Sequence, residues 1–520
     1  MPSPLIDALR NPACYPHPVE TVELLQTHIS WVLLAGDYAY KIKKPVDFGF
    51  LDFSDLAGRR HFCQEEIRLN RRTAPDLYCD VVALTGSERS PVVGGSGQPI
   101  EYAVRMRRFD PDQGFDRLLA AGRLEAAHVE ALGEALADLH EVAERAPAGS
   151  AWGTPAEVIG PMRDNFTTLN ELLKDRQQRD RLAWLADWTE GRFESLAELI
   201  KARRADGFVR ECHGDVHLGN VTLVDGRTTL FDCIEFSPEL RWTDTMADLG
   251  FIVMDLRERG AQAHAWRLLD SYLARTGDYA GLALLDFYVV YRALVRAKVA
   301  ALGLAGEATA AEKEAILANI DRYLHLSVTV AREQRPALVL TCGVSASGKS
   351  HLARGLLAEC GLVRIRSDVE RKRLHGLKAM SRSHSGLGGG LYGAAATAKT
   401  YDRLLALAET VTAAGLPVLV DATFLSDQQR RPFRQLAEAH GIPFGVVVCT
   451  ADQPVLHQRI RQRLERGDDP SEADLAVLDA QLESFAPPLP DDPAAILIDT
   501  TAEDSLARAC RWADRLVSGS

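Results

Sequence analysis

A complete G-x-x-x-x-G-K-S pattern runs from Gly343 to Ser350 and follows an apolar stretch. The apolar run Ala337–Cys342 predicts a buried strand, and the residues from Lys349 onward predict a helix. In that setting the two glycines let the backbone curl around a phosphate, the lysine reaches the β- and γ-phosphates, and the serine hydroxyl can bind Mg²⁺. A glycine- and serine-rich loop that matches by chance is the alternative. The predicted nucleotide-binding residues are Gly343, Ser345, Gly348, Lys349 and Ser350.

Two carboxylates and an amide are spaced for metal-assisted proton transfer. Asp215 lies five residues before Asn220 in H-G-D-V-H-L-G-N, and Asp232 follows a predicted hairpin. This is the spacing of a kinase catalytic loop and the metal-binding Asp that follows it. We therefore predict that Asp215 accepts the proton of an attacking hydroxyl, and that Asn220 and Asp232 bind Mg²⁺. The alternative is that Asp232 only caps a turn and that His213 and His217 only form hydrogen bonds within turns.

A nucleotide site of this second kind also needs a lysine on a strand and a glutamate on a helix. Lys41 lies in an alternating β-rich run, and a helical segment carries Glu65 and Glu66. Lys41 is the predicted ATP lysine, and Glu66, with Glu65 as the alternative, is predicted to hold it. Lys43 and Lys44 are predicted to be solvated.

Polar residues also follow the predicted strands downstream of the G-K-S pattern. Asp368 comes after the strand Leu362–Ile365, and Asp421 ends the apolar run V-L-V-D. Because ligands bind at the carboxyl ends of parallel strands, Asp368 is predicted to accept a substrate proton and Arg371 to hold a phosphate. Asp421 is predicted to order Mg²⁺ or substrate. Three arginines spaced to share a helix face are predicted to cover the phosphates: Arg459, Arg463 and Arg466. The alternative for the basic run 364–373 is a solvated helix start.

The composition is that of an ordinary globular protein. The 520 residues, 46% hydrophobic and 25% charged, exceed what one hydrophobic core supports, so two or three domains are expected. A net charge of −12 argues against a protein that coats nucleic acid non-specifically, without excluding a local basic cleft. Nine scattered cysteines, no leader-like N-terminus and no long apolar stretch predict reduced thiols, no membrane span and a cytoplasmic location.

The order of predicted elements separates three regions. β-rich runs dominate up to about residue 110, helices from 111 to about 326, and alternating strands and helices after 337. The predicted strands are His28–Ala35, Tyr38–Lys44, Asp80–Thr85, Glu101–Arg107, Val221–Val224, Thr229–Phe231, Ala337–Cys342, Leu362–Ile365, Pro417–Val420, Phe444–Cys449 and Ala495–Ile498. Gly86–Pro99 is predicted as a turn region, Ser327–Pro336 as a connector and Ser381–Gly393 as a mobile loop. The predicted fold class is α/β and α+β: a two-lobed protein-kinase-like domain followed by a P-loop NTPase parallel α/β sheet.

The first part of the chain resembles a known kinase group. Residues 20–326 are similar to the aminoglycoside phosphotransferase and choline kinase group, whose signature H-G-D-x-H-x-x-N is followed by a metal-binding Asp. The resemblance implies Asp215 as catalytic base, Asn220 and Asp232 as magnesium ligands, Lys41 as the ATP lysine and Asp248 as a brace within the lobe. The C-I-E tripeptide after the metal-binding Asp departs from the Phe-Glu or Phe-Gly common in such kinases.

The second part resembles small P-loop kinases. Residues 337–520 are similar to gluconate kinase, the zeta-toxin family and, most closely, the kinase domain of polynucleotide kinase, in which an Asp-x-x-Arg activates the 5′-hydroxyl. Asp368 and Arg371 match that motif. Together the halves resemble bacterial fusions of an aminoglycoside-phosphotransferase-like and a P-loop ATP-binding protein. The implied domains are a kinase domain at 1–330, with a β-rich lobe at about 20–110 and a helical lobe at about 111–330, and a P-loop kinase domain at 337–520.

These observations predict a phosphotransferase with two nucleotide sites, each moving the γ-phosphate of ATP to a hydroxyl with the help of Mg²⁺. For the C-terminal domain the predicted acceptor is a polynucleotide 5′-hydroxyl or a small sugar-like alcohol. Two alternatives stay open: an ATP-gated regulatory protein with no dedicated acceptor, and a small-molecule kinase acting on an aminoglycoside-like compound. The oligomeric state stays open as well.

Overall fold

The computed structural model describes residues 3–49, 51–305, 309–333, 335–379, 381, 393–466, 473–488 and 492–518. The chain divides into two compact units. The first comprises Met1–Asp164 and Phe193–Asp255, and the second comprises Asn165–Arg192 and Leu256–Ser520. Helices of the second part of the predicted kinase domain therefore share a unit with the P-loop region. Among the described residues, no helix is both long and apolar enough to cross a membrane.

Strands form the centre of each unit. The strands are β1 (Val22–Gln26), β2 (Ser30–Ala35), β3 (Tyr38–Lys43), β4 (Tyr78–Ser87), β5 (Ser90–Val93), β6 (Glu101–Arg107), β7 (Val209–Glu211), β8 (Val221–Val224), β9 (Arg227–Leu230), β10 (Trp242–Asp244), β11 (Leu338–Cys342), β12 (Val363–Arg366), β13 (Val418–Asp421), β14 (Phe444–Thr450) and β15 (Ala495–Asp499).

Helices make up most of the remaining described residues. The helices are α1 (Pro4–Ala8), α2 (Leu56–Asn70), α3 (Phe115–Ala120), α4 (Ala126–Val142), α5 (Pro155–Leu172), α6 (Arg176–Ala205), α7 (Pro238–Arg241), α8 (Thr245–Glu258), α9 (Gln262–Thr276), α10 (Leu282–Leu302), α11 (Ala310–Arg332), α12 (Lys349–Cys360), α13 (Ser367–Leu374), α14 (Ala394–Ala413), α15 (Asp427–His440), α16 (Gln453–Arg466), α17 (Leu475–Ser484) and α18 (Ser505–Ser518).

A six-stranded antiparallel sheet organises the first unit, in the order β1-β2-β3-β6-β4-β5. Side chains alternate between the two faces of a strand, so Lys41 and Lys43 share the face of Ala39 on β3. That face packs on α2, where Ala39, Cys63 and Ile67 belong to one buried cluster. The sheet therefore turns two lysines towards a helix rather than towards water.

A five-stranded parallel sheet organises the second unit, in the order β12-β13-β11-β14-β15. All five residues of β11 are buried, as expected for a central strand covered on both faces. Arg364 on β12 is buried and pairs with Asp270 of α9, at 2.6 Å between Nη2 and Oδ2. The carboxyl ends of β11, β12 and β13 lead to the G-K-S loop, to Asp368 and to Asp421.

The predicted fold class is confirmed. Two local predictions are wrong, and a third concerns residues that lie mostly outside the described ranges. The Gly86–Pro99 region, predicted as a turn, contains β5, which pairs with β4 through Leu84 and Val93. The predicted connector at Ser327–Pro336 is wrong, because α11 continues to Arg332 and buries Ser327 and Val330 on its packed side. β1 was not predicted at all. The predicted mobile loop Ser381–Gly393 lies, except for its two end residues, outside the described residues.

Candidate active sites

Lys41 lies on β3 with its ammonium group between two carboxylates. Its Nζ is 2.8 Å from Glu66 Oε1 and 2.5 Å from Asp232 Oδ1. Glu66 is fully buried on α2, whereas the alternative residue Glu65 accepts hydrogen bonds from Arg68. Burial lowers the pKa of Lys41, but the carboxylates of Asp232 and Glu66 outweigh burial and hold that pKa well above its usual value. Lys41 is therefore a fixed cation beside a predicted metal ligand, and its helix partner is Glu66.

Lys43 is buried, so the prediction that it is solvated is wrong. Its side chain is only 1% exposed, its Nζ lies 2.8 Å from Glu66 Oε2, and it also pairs with the carboxylate of Glu235. The ammonium lies 4.9 Å from the centre of the Phe53 ring. Glu235 is the last residue of the C-I-E tripeptide, so the departure from the kinase pattern supplies the second carboxylate for Lys43. Period-two alternation, which places Lys43 on the face of Lys41, was the available sequence signal.

The H-G-D-V-H-L-G-N segment brings the predicted base and a predicted metal ligand into contact. Asn220 Nδ2 donates to Asp215 Oδ2 at 3.1 Å and to the Asp215 carbonyl oxygen at 3.0 Å. His217 Nδ1 accepts the Gly219 N–H at 3.1 Å, and His217 Nε2 lies 3.5 Å from Asp215 Oδ2. A neutral His217 that accepts at Nδ1 carries its proton on Nε2, which faces the carboxylate. The roles of Asp215 and Asn220 in catalysis stay predictions.

A buried carboxylate on α8, that of Asp248, accepts hydrogen bonds from the backbone of this loop. Asp248 accepts the His213 N–H at 2.9 Å and the Gly214 N–H at 2.8 Å, and His140 Nε2 lies 3.2 Å from its Oδ2. Burial raises the pKa of Asp248, but these donors outweigh burial and bring that pKa down to about 2. Burial lowers the pKa of His213, whose Nε2 lies 3.0 Å from the Phe231 carbonyl oxygen. Asp248 thus fixes the backbone that carries the predicted base.

Asp232 has an unusual backbone conformation. Its φ is +63°, in the left-handed region that side chains rarely adopt. The hydroxyl of Tyr78 accepts the Asp232 N–H at 3.1 Å, and Asn70 Oδ1 accepts the N–H of Cys233 at 2.9 Å. Such strain persists only where neighbours enforce it, and it clusters at functional positions. The conformation is therefore consistent with the predicted metal-binding role.

In the second unit, the G-K-S loop needs both of its glycines. Gly343 has a φ of +142°, and a Cβ there would lie 2.5 Å from the Cys449 carbonyl oxygen. Gly348 has a φ of +89°, and a Cβ there would lie 2.6 Å from Thr500 Oγ1. Neither approach is compatible with a side chain, so the loop curls only with glycine at both positions.

Protein groups hold the cation and one amide of this loop. Lys349 Nζ donates to the Val344 carbonyl oxygen at 2.7 Å, and the Ser345 N–H donates to Gln481 Oε1 at 2.7 Å. Burial lowers the pKa of Lys349, and the nearby Asp421 only partly offsets that effect. Phosphate oxygens at this loop would replace both acceptors. Sequence reasoning missed Gln481, which lies on α17 in no recognisable motif.

A cavity of about 740 Å³ lies over the loop, within the range of small-molecule sites. Thr397 and Tyr401 of α14 also line it, and Arg371 Nη1 donates to Thr397 Oγ1 at 3.3 Å. Asp421 is buried, with its Oδ1 3.5 Å from Thr341 Oγ1. The predicted residues that line the cavity are Ser345, Gly348, Lys349, Ser350, Asp368, Arg371, Asp421, Arg459 and Arg463. One cavity therefore gathers nearly all residues predicted for this site.

The predicted phosphate-covering arginines have more than one environment. Arg459 Nη1 donates to the Ala346 carbonyl oxygen at 3.2 Å and to Thr500 Oγ1 at 2.9 Å, so it braces the G-K-S loop. Arg463 donates to the Ala473 carbonyl oxygen. The side chain of Arg466 lies outside the described residues. Arg459 and Arg463 both reach the cavity, and their contact with phosphate stays a prediction.

Two family models match the chain. The model of the phosphotransferase enzyme family matches residues 92–285, and the model of an AAA domain matches residues 338–488. The first match contains Asp215, Asn220 and Asp232 but begins after Lys41 and Glu66. The second contains the G-K-S loop and the residues that line its cavity, except Thr500. The predicted fusion of a phosphotransferase-family segment with a P-loop segment is confirmed, and the chain is a kinase-type enzyme.

Solved structures resemble parts of the chain. A choline kinase from Cryptosporidium parvum is 10% identical and covers 62% of this chain and 95% of its own, with a TM-score of 0.40. A sugar kinase from Janibacter sp. is 20% identical and covers 34% of this chain and 95% of its own, with a TM-score of 0.28.

Relatives in mycobacteria match almost the whole chain. The uncharacterized protein Rv2004c of Mycobacterium tuberculosis is 30% identical over 471 residues, which are 90% of this chain and 92% of that protein. An uncharacterized protein of Mycobacterium bovis matches to the same extent. The chain therefore belongs to the family of these mycobacterial proteins, with a phosphotransferase-family segment followed by a P-loop segment.

Proposed function

We propose that each unit binds ATP with Mg²⁺ and transfers the γ-phosphoryl group to a hydroxyl acceptor. For the second unit, the observation that carries the proposal is a single cavity lined by Lys349, Ser350, Asp368 and Arg371. A protein that only binds nucleotide needs no carboxylate placed to accept a proton. The presence of Asp368 in the cavity therefore favours transfer over an ATP-gated regulator with no acceptor.

The residues of the second unit fit the groups that the reaction needs. A side chain at Gly343 or Gly348 would fill the cradle, which is consistent with a loop shaped around phosphate. The Ser350 hydroxyl and the Asp421 carboxylate are the hard oxygen ligands that Mg²⁺ prefers. The metal would neutralise charge on the phosphate oxygens.

The protein's own part of the transfer follows from these positions. Lys349 exchanges the Val344 carbonyl oxygen for the β- and γ-phosphates, and Arg371 neutralises charge on the transferring group. Asp368 takes the proton of the acceptor hydroxyl while the hydroxyl oxygen forms a bond to the γ-phosphorus. The bond between the γ-phosphorus and the oxygen that leaves with ADP breaks in the same step.

In the first unit the same tasks fall to side chains instead of a loop. Asp215 would accept the proton of the acceptor hydroxyl, and Asn220 and Asp232 would bind the metal. Lys41, held by Glu66, would bind the phosphates. Amide and carboxylate oxygens suit Mg²⁺, and the short distance from Lys41 to Asp232 brings the phosphate-binding cation next to the metal ligand.

For the acceptor of the second unit, two classes remain: a small sugar-like alcohol and a polynucleotide 5′-hydroxyl. The cavity volume lies in the range of small-molecule sites, which is consistent with a small alcohol. Cationic side chains around the cavity, Lys349, Arg366, Arg371, Arg459 and Arg463, would also suit a phosphate of a nucleic acid strand.

Radiolabel transfer from γ-labelled ATP tests the proposal, with a 5′-hydroxyl oligonucleotide and a polyol mixture as acceptors. With Asp215→Asn in every variant to silence the first unit, Asp368→Asn should lose roughly 10²- to 10⁴-fold in transfer while ATP binding is retained, because the proton acceptor of the second unit is gone. The matched control is Asp402→Asn, because Asp402 is an exposed carboxylate on α14. Unchanged transfer in Asp368→Asn would remove this residue from the mechanism, and ATP binding without any labelled acceptor would support the regulator.

A further inference from the structure

The buried pair of Lys43 and Glu235 has no task in the phosphoryl transfer proposed above. Lys43 is 1% exposed and Glu235 is 4% exposed, which is rare for charged residues even when they are paired. Burying charges is costly unless each finds a partner of opposite sign. The pair therefore needs an explanation beyond a general gain in stability.

The contacts of Lys43 centre on the carboxylate that holds Lys41. Glu66 Oε1 lies 2.8 Å from Lys41 Nζ, and Glu66 Oε2 lies 2.8 Å from Lys43 Nζ. Each oxygen of Glu66 is thus held by a different ammonium group. With both oxygens engaged, the carboxylate cannot rotate without breaking a contact to a buried charge.

Glu235 in turn anchors Lys43 to the segment that follows Asp232. The Glu235 carbonyl oxygen accepts from Arg241 Nη1 at 3.1 Å, and the N–H of Ile234 donates to the His213 carbonyl oxygen at 3.1 Å. The Glu235 carboxylate binds Lys43 from this tethered segment. The pair therefore connects β3 to the loop that carries the predicted metal ligand.

We propose that Lys43 is a positioning residue, which holds Glu66 and Glu235 together so that Glu66 presents the Lys41 ammonium to the phosphates of ATP. The inference rests on the proposed nucleotide site of the first unit. If Asp232 serves Mg²⁺ there, Glu66 is the protein carboxylate left to orient Lys41. The hold of Lys43 on Glu66 then sets where the phosphate-binding cation lies.

A purely structural role gives a different expectation. If Lys43 only neutralises Glu235, then removing both charges together leaves nucleotide affinity unchanged. If Lys43 positions Glu66, the same double substitution keeps the fold but frees Glu66 Oε2, and affinity falls. Lys43→Met/Glu235→Leu separates the two roles, because exchanging both members of a buried ion pair for apolar residues is often tolerated.

The measurement is equilibrium binding of Mg²⁺ and a fluorescent ATP analogue to the full chain, with Lys349→Ala in every variant to silence the second unit's loop. Lys43→Met/Glu235→Leu should bind at least about tenfold more weakly, as substitutions behind a ligand-holding residue commonly do. An arginine at position 43 can still donate to both carboxylates, so Lys43→Arg should keep most of the affinity of the Lys349→Ala parent. The control Lys44→Met, next to it on the chain with its ammonium on the Thr27 carbonyl oxygen, should not change affinity.

The outcomes separate this inference from the proposal on which it rests. Absence of any ATP binding in the Lys349→Ala parent would remove the first unit's nucleotide site, and the positioning role with it. Binding in the parent with equal affinity in the folded double variant would overturn the positioning role alone. If the double variant does not fold, Lys43→Met/Glu235→Gln takes its place, since it also removes the ammonium group from Glu66 Oε2 and leaves no unpaired charge at position 235; unchanged affinity there would also overturn the inference.

Discussion

The two units hold the lysine that we propose to bind phosphate by different physical means. In the first, Lys41 is held by the carboxylates of Glu66 and Asp232, which belong to a helix and a loop. In the second, Lys349 rests on the carbonyl oxygen of Val344, within the same short loop. The first arrangement depends on ionised side chains, and the second depends on backbone curvature that only glycine permits at two positions.

This difference determines how each site responds to change. An ionic arrangement is sensitive to the removal of one charge and to acid, because its members compensate one another in a buried environment. The backbone conformation of the cradle depends on neither and is sensitive instead to added side-chain volume. Substitutions that remove charge should therefore lower the stability of the fold around the lysine far more in the first unit than in the second.

The largest expected effect on stability is that of Lys43→Met. The substitution leaves Glu235 buried without its cation, which should lower the free energy of unfolding of the full chain by about 3–5 kcal/mol. Lys43→Met/Glu235→Leu should recover most of this loss, and Lys44→Met should change stability little. Urea-induced unfolding measures all three, and a loss below about 1 kcal/mol in Lys43→Met, the size found for exposed pairs, would contradict the account.

A smaller effect is expected from Asp248→Asn. The pKa of Asp248 in the fold is about 2, below its usual 3.8, so its ionised form stabilises the folded state by about 2 kcal/mol. This contribution is complete above about pH 4 and is lost as the pH falls through about 2. The stability difference between wild type and Asp248→Asn should therefore shrink between these values in urea unfolding. A difference independent of pH would show that the carboxylate charge is not what holds the loop.

The smallest expected effect concerns Gln481 in the second unit. Its side-chain oxygen accepts a hydrogen bond from the Ser345 N–H. Gln481→Ala should therefore leave that N–H free to donate to phosphate and should tighten ATP binding by about 1 kcal/mol, roughly fivefold. Calorimetric titration in a Lys41→Met background isolates this site. The matched control is Ser484→Ala, because Ser484 lines the same cavity three residues after Gln481. Weaker binding in Gln481→Ala would mean that the residue contacts the ligand instead of competing with it.

Local sequence patterns predicted the parts of the two sites that are local in the chain. The glycines around the G-K-S loop and the contact of Asp215 with Asn220 follow from residues a few positions apart. Strand alternation put Lys43 on the same face of β3 as Lys41, but it did not say whether that face is buried. Lys43 was predicted to be solvated because of its charge, and that prediction is wrong.

The contacts that sequence reasoning missed join residues far apart. Lys43 meets Glu235 across 192 positions, and Ser345 meets Gln481 across 136. A single sequence carries no signal for such pairs, since neither partner lies in a motif with the other. The end of α11 was also missed. The predicted connector began at Ser327, but the Ser327 hydroxyl donates to the Tyr323 carbonyl oxygen within the helix, which continues to Arg332.

The most direct test of two separate phosphotransfer sites is transfer of labelled γ-phosphate from ATP to a 5′-hydroxyl oligonucleotide and to a cell metabolite extract. Wild type, Asp215→Asn, Lys349→Ala and the double variant are compared side by side. The account predicts that each single variant loses a different set of labelled acceptors and that the double variant labels none. Loss of the same acceptor in both single variants, or ATP binding with no acceptor labelled by wild type, would contradict it.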